Sequence, residues 1–158
     1  MDDIRVQHGA AEFTDWEALH RLLTRAFAGM EGRIDPPSSL HRMDPHLLRE
    51  KAAHESLVVA YRAGRLVGCG FGAKESDMLY LSKLAVDPDL HRRGILRRMV
   101  MLFEEEARRR ALAGLVLQTR VELTENHATF HALGFEISAE TAHPGHDRPT
   151  SYTFRKMI

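Results

Sequence analysis

The chain has 158 residues and a formal net charge of zero, with 22 Lys and Arg against 22 Asp and Glu. That length predicts one domain, residues 1–158, with a true core and no room for a comfortable second. The balance of charge excludes a general nucleic-acid binder, which carries a global basic excess.

In chain order, Met1-Asp2-Asp3-Ile4 is acidic and lacks the apolar stretch of a signal peptide. Ile4 to Gln7 alternates as a short strand. Thr14-Asp15-Trp16-Glu17 has the form of a capping box with Thr14 at the cap. Trp16, Leu19, Leu22, Leu23, Ala26 and Phe27 then give a helix one apolar face. From Gly29 to His41 there is no period, and Pro36-Pro37 with two glycines rules out a regular element. Asp44-Pro45 reads as a cap followed by proline at the first helical position, opening a helix to about His54. Leu57 to Tyr61 and Leu66 to Phe71 form a hairpin across Arg62-Ala63-Gly64-Arg65. Gly68, Gly70 and Gly72 alternate in its second strand, which suggests room for a neighbouring backbone. The single cysteine, Cys69, reads as a small core residue; it excludes a disulfide framework and suits a reducing compartment.

Leu79 to Val86 is long enough for a strand and ends at the turn residues Asp87-Pro88-Asp89. A loop with His91, Arg92 and Arg93 closes on Gly94, and Ile95, Leu96, Met99, Val100, Phe103 and Ala107 recur behind it at helical spacing, to about Ala111. A strand, a basic glycine loop and a helix start together make an anion site. The first N–H groups of a helix lack intrahelical partners and sit at the positive end of its dipole. Gly94 removes a side chain where a phosphate comes close, and Arg92, Arg93, Arg97 and Arg98 add charge and two-pronged donors.

Glu104, Glu105 and Glu106 stand four residues before Arg108, Arg109 and Arg110, which predicts a solvated helical face, not a binding patch. Leu115-Val116-Leu117 is a buried strand, and Asn126 to Leu133 a short helix stopped by Gly134. Strands begin at Phe135 and at Ser151, around a loop from Thr141 to Thr150. His127 and His131 have a zinc-compatible spacing, but no third ligand is evident and no metal is expected. No apolar run approaches membrane-spanning length, so a cytoplasmic protein with no membrane partner is expected.

His91-Arg92-Arg93-Gly94-Ile95-Leu96, behind Leu84-Ala85-Val86, resembles the acetyl-CoA motif of the GNAT superfamily of N-acetyltransferases. That motif is Gln/Arg-x-x-Gly-x-Gly/Ala after an apolar triplet, so His91 and Leu96 depart from it. The element order β-α-α-β-β-β-α-β-α-β-β and the tripeptide Leu133-Gly134-Phe135 match the same family over almost the whole chain. The resemblance implies an α/β (α+β) fold, with a mixed, mostly antiparallel sheet splayed between strands four and five and flanked by about four helices. It implies acetyl-CoA as acyl donor. Its arm would be held by the main chain of Leu84, Ala85 and Val86, and its pyrophosphate by His91, Arg92, Arg93, Gly94, Ile95, Leu96 and Arg97. Asn126 is either a cofactor contact or a helix-start cap.

The implied reaction is direct attack on the thioester by an amine of a small molecule or peptide, in a ternary complex. The Val86 N–H is the natural donor to the developing oxyanion. The tyrosine that often protonates the departing thiolate is missing, since Phe130 holds its position. Tyr80 and Ser82, which strict alternation puts on one face with Leu84 and Val86, are catalytic candidates or ordinary strand residues; His127 is another nearby proton carrier. Glu31, Asp35 and His41 lie in the irregular loop that walls the acceptor site in relatives. Glu31 is a third catalytic candidate, and carboxylates there would favour a cationic acceptor; ordinary loop polarity is the plainer reading. The alternative function is an acyl-CoA-binding or regulatory module that kept the site and lost efficient chemistry, to which Phe130 and Leu96 point. Other nucleotide-phosphate motifs, Gly-x-x-x-x-Gly-Lys-Ser/Thr and Gly-x-Gly-x-x-Gly, are absent. Dimers are common among relatives, so the resemblance allows a homodimer.

Overall fold

The computed structural model describes residues 3–9, 13–38 and 42–158. The elements are β1 (Ile4–His8), α1 (Trp16–Phe27), α2 (Pro45–His54), β2 (Ser56–Arg62), β3 (Arg65–Glu75), β4 (Met78–Val86), α3 (Ile95–Arg109), β5 (Gly114–Arg120), α4 (Thr124–Ala132), β6 (Glu136–Thr141) and β7 (Ser151–Met157). Short 3₁₀ turns follow α1 at Ala28–Met30 and β4 at Pro88–Leu90. The order is the predicted one. Among the described residues the strands form one sheet, β1-β2-β3-β4-β5-β7-β6, parallel only between β4 and β5.

Local chemistry explains most boundaries. The Asp44 carboxylate accepts from the Leu47 N–H at 2.8 Å, and Pro45 takes the first helical place of α2. The β2–β3 turn has two left-handed residues, Ala63 and Gly64, which suit the twist of the strands they join. α4 ends in a complete Schellman motif. Gly134, at φ +96°, donates to the His131 carbonyl and Phe135 to the Phe130 carbonyl. α1 departs from expectation, because Asp15 and not Thr14 occupies its cap and no side chain caps it. Burial of Leu19, Leu22 and Leu23 holds that helix instead. α4 begins at Thr124, two residues before its predicted start.

Two apolar cores sandwich the sheet. One, under α3 and α4, gathers Leu79, Leu81, Met99, Phe103, Leu115, Leu117, Phe130, Phe135 and Phe154. The other, under α1 and α2, gathers Leu19, Leu23, Leu48, Val59, Cys69, Phe71 and Ala85. The glycines of β3 serve the first core. A Cβ on Gly70 would lie 2.6 Å from Leu84 Cδ2 and 3.2 Å from Phe103 Cε2, and one on Gly72 would lie 2.9 Å from Phe103 Cε1. They make room for side chains, chiefly the Phe103 ring, and not for a neighbouring backbone. The glutamate run is also less solvated than predicted: Glu106 is buried against Arg110 at 2.9 Å, and Glu104 holds Lys156 of β7 at 2.7 Å. Among the described residues no helix is long and apolar enough to cross a membrane.

Candidate active site

β4 and β5 pair only at their starts, Met78 to Tyr80 against Gly114 to Val116. β4 then continues to Val86 and β5 to Arg120, and among the described residues no further pair joins them. A cavity of about 290 Å³ fills the opening. Its walls include Ser82, Lys83 and Leu84 of β4, Thr119 and Arg120 of β5, and Asn126 and Phe130 of α4.

A bulge shapes the β4 side. Phe71 pairs with Ser82 and Cys69 with Ala85, so Gly70 alone opposes both Lys83 and Leu84, and Lys83 takes φ +52°. One extra residue reverses the alternation. Leu79 and Leu81 face the α3 core before the bulge; Leu84 and Val86 face it afterwards, while Ala85 joins the α1 core. Tyr80 and Ser82 therefore share a face with each other but not with Leu84 and Val86, which corrects strict alternation through the strand. All three triplet side chains are spent on packing. What they present to the opening is main chain: Asp87 N–H donates to Val67 on β3 at 2.8 Å, so Val86, one residue earlier, turns its N–H the other way.

The strand hands over to α3 through a corner built for reversal. Arg92 at φ +66° and Gly94 at φ +77° are both left-handed. A Cβ on Gly94 would meet no protein atom within 4 Å, so conformation and not crowding demands glycine there. The first helical bond runs from the Arg98 N–H to the Gly94 carbonyl at 3.1 Å, leaving the amides of Ile95, Leu96 and Arg97 ahead of it. His91, Arg92, Arg93 and Arg97 are exposed around this end; Ile95 is buried, and Leu96 packs half-buried against the core. Arg25 of α1 braces the corner, reaching Asp87 at 2.9 Å and Asp89 at 2.7 Å.

On the α1 side of the opening, burial followed by the charges of Glu75 and Glu55 pushes the Tyr80 phenol up. The Ser82 hydroxyl is buried with no partner among the described residues. Burial and then Lys51 push the Lys83 ammonium down. Asn126 is not a cap, since Leu123 holds that place; its amide reaches Thr119 Oγ1 at 3.4 Å. Phe130 stands edge-on to Phe135 at 5.7 Å and has no proton to give. His127 and His131 each engage a backbone carbonyl, of Arg120 and Phe135, and among the described residues no group of three metal-ligating side chains stands together.

Glu31 lines a neighbouring chamber of about 540 Å³ with His20 and Thr24, which shares Phe27, Met30 and Ser38 with the wall of the first. The structure does not bring it among the residues around Tyr80 and Ser82. Asp35 binds Arg148 at 3.1 Å, with His146 at 3.6 Å, and His41 lies outside the described residues. The fold adds three ionisable residues to the cavity that sequence reasoning passed over: Lys83, Arg120 and His143. A cation closing a strand was the only signal for Arg120, and His143 had none beyond its loop.

The GNAT acetyltransferase family model matches residues 16–135. An IAA acetyltransferase of Azospirillum brasilense is 31% identical over 106 residues, 66% of this chain and 68% of that protein. Among solved structures, the PaiA N-acetyltransferase of Thermoplasma acidophilum, in complex with coenzyme A, has a TM-score of 0.79 at 13% identity and covers 99% of both chains. The ribosomal-protein-S18-alanine N-acetyltransferase of Escherichia coli has a TM-score of 0.72 at 20% identity, over 98% of this chain and 94% of that one. With most of its length matched by the family model, and with a sheet that splays beside the motif, the chain belongs to the GNAT family of acetyltransferases.

Proposed function

We propose that this enzyme moves the acetyl group of acetyl-CoA to the amine of a small molecule or peptide by direct attack in a ternary complex. The opening between β4 and β5 carries the proposal, because it offers an unpaired strand edge directly before a left-handed, arginine-flanked helix start. A ligand with amide groups on an arm and a diphosphate at its end suits both features. The main chain of Leu84, Ala85 and Val86 can pair with the arm. The amides of Ile95, Leu96 and Arg97, with Gly94 and the side chains of His91, Arg92 and Arg93, suit the diphosphate, and Asn126 closes the α4 side.

The chemical roles then fall to Tyr80 and His143 in the cavity and to the main chain of β4 beside it. The Val86 N–H supports the developing oxyanion. Tyr80, its phenol raised by burial and by Glu75 and Glu55, stays protonated and donates a hydrogen bond to the departing sulfur. Full transfer of its proton would run uphill, because thiols titrate at ~8.5 and ordinary phenols at ~10, and burial raises this phenol further. His143 is held low by burial, then by Arg120 and His146, and so is neutral at pH 7. Its Nδ1 lies against Thr150 Oγ1, which donates to the Thr141 carbonyl at 3.4 Å; this assigns the ring proton to Nδ1 and leaves Nε2 a lone pair. Once the C–N bond forms, the nitrogen turns strongly acidic, and Nε2 takes its proton. Thiol release measured across a panel of amines tests the reading. A protein that binds acetyl-CoA by calorimetry yet releases no thiol with any amine would be the binding module instead.

A further inference from the structure

We infer that the acceptor carries an anionic group, a carboxylate or phosphate, beside its amine, and that Arg120 and Lys83 receive it. This deepens the acetyl-transfer reading and rests on it. Among the described residues lining the cavity the charged side chains are Lys83 and Arg120, and no carboxylate joins them. The acids nearby stand outside the lining, although the charges of Glu122 and Asp35 act on Arg120. Asp35 holds Arg148 at 3.1 Å, Glu125 holds Arg33 at 2.9 Å, and Glu122 accepts from the Asp35 N–H at 3.2 Å through Oε2, its Oε1 being buried with no partner among the described residues. Glu31 faces the other chamber.

Arg120 spends Nη2 on the Pro37 carbonyl at 3.2 Å, whereas Nη1 is buried with no partner among the described residues. A buried guanidinium N–H without an acceptor is costly, and an anion is the acceptor that repays it best. Both cations stand on the α1 side of the sheet: Arg120 touches the loop after α1, and Lys83 feels Lys51 of α2. They are thus placed for the acceptor and not for the coenzyme's phosphates at the Gly94 corner. A purely cationic acceptor would meet two like charges, and a hydrocarbon amine would leave Nη1 unmatched.

The test compares kcat/KM for δ-aminovalerate, aminopentyl phosphate and pentylamine, by thiol release at saturating acetyl-CoA. Either anionic amine should exceed pentylamine by about tenfold or more, the scale of one charge-assisted hydrogen bond, and the better of the two identifies the anion. Arg120→Gln, and separately Lys83→Met, should bring that ratio towards one, whereas a merely structural role would lower all three substrates together. Pentylamine equal to or better than both anionic amines overturns the inference, as does a ratio unchanged in both variants. If no amine releases thiol, the transfer reading has failed, and the anion site is judged alone. Glutarate should then raise the melting temperature of the coenzyme A complex in the wild type but not in Arg120→Gln, and no shift in the wild type overturns it.

Discussion

Gly94 separates two demands that a glycine can answer. Its φ of +77° asks for a residue without Cβ, while the space around it is open. Gly94→Ala should therefore cost about 1–2 kcal/mol of stability and little else. Gly94→Glu adds a carboxylate against the diphosphate, and its Kd for coenzyme A by calorimetry should rise about a hundredfold beyond that of Gly94→Ala, since facing like charges cost several kcal/mol. Equal affinity in the two variants would move the phosphates elsewhere. At Tyr80 the raised phenol favours donation over transfer, so Tyr80→Phe should lower kcat by about 10- to 100-fold, the worth of one hydrogen bond to a charged group, and leave acetyl-CoA affinity in place. His143 sets a pH limit with a definite sign. Because its folded value lies below the ordinary 6.5, the base is available at neutral pH and is lost only as pH falls through that lowered value. Wild-type kcat should show this acid limb; His143→Gln should lack it and run about 10²- to 10⁴-fold slower. An unchanged limb in the variant removes His143 from the chemistry.

At the scale of the element, the β4 bulge decides which side chains reach the chemistry. Deleting Lys83 removes the extra residue and leaves Leu84 and Val86 on the α3 side, whereas deleting Leu84 puts the lysine there, so the urea midpoint should report a loss of more than about 3 kcal/mol in the second deletion alone. Lys83→Gly keeps the bulge and relieves a left-handed lysine, so it should hold or gain about 1 kcal/mol. Were the two deletions equally stable, the bulge would not be what sets the faces of the strand. This element also shows where the sequence stops speaking. Leu79 to Val86 reads as the same apolar run with or without an extra residue; the extra one is defined by Gly70 across the ladder and the Phe103 ring above it. Asp44-Pro45, Ala63-Gly64 and Gly134 were legible because a cap or turn is written in adjacent residues. The order of strands and helices was legible because apolar period is local too. Arg120 and His143 were not, since only the closing of the loops after α1 and before β7 against β5 puts them in one cavity.

Across the whole molecule, α1 and the loop behind it connect the two ends of the opening. At the donor end Arg25 grips Asp87 and Asp89, which begin the turn into the Gly94 corner. At the acceptor end Arg33 pairs with Glu125, Pro37 accepts from Arg120, and Asp35 pairs with Arg148 of the loop before β7. Apart from the buried Asp87 carboxylate these partners are largely exposed, so the exposed pairs contribute little to overall stability, but they fix where loops lie. Their loss should thus be read in KM, and separately at each end. Arg25→Met leaves Asp87 the Arg65 guanidinium at 3.5 Å; it should raise the KM for acetyl-CoA by roughly threefold to tenfold and spare that of the amine, a shift of the size usual for one lost positioning contact. Asp35→Asn should do the reverse, raising the amine's KM and sparing acetyl-CoA. Salt near 1 M, where the screening length falls to about 3 Å, should weaken the wild type at both ends at once. If instead each variant moved both constants together, α1 would be a single strut whose displacement disturbs the entire opening, and the division into a donor end and an acceptor end would fail.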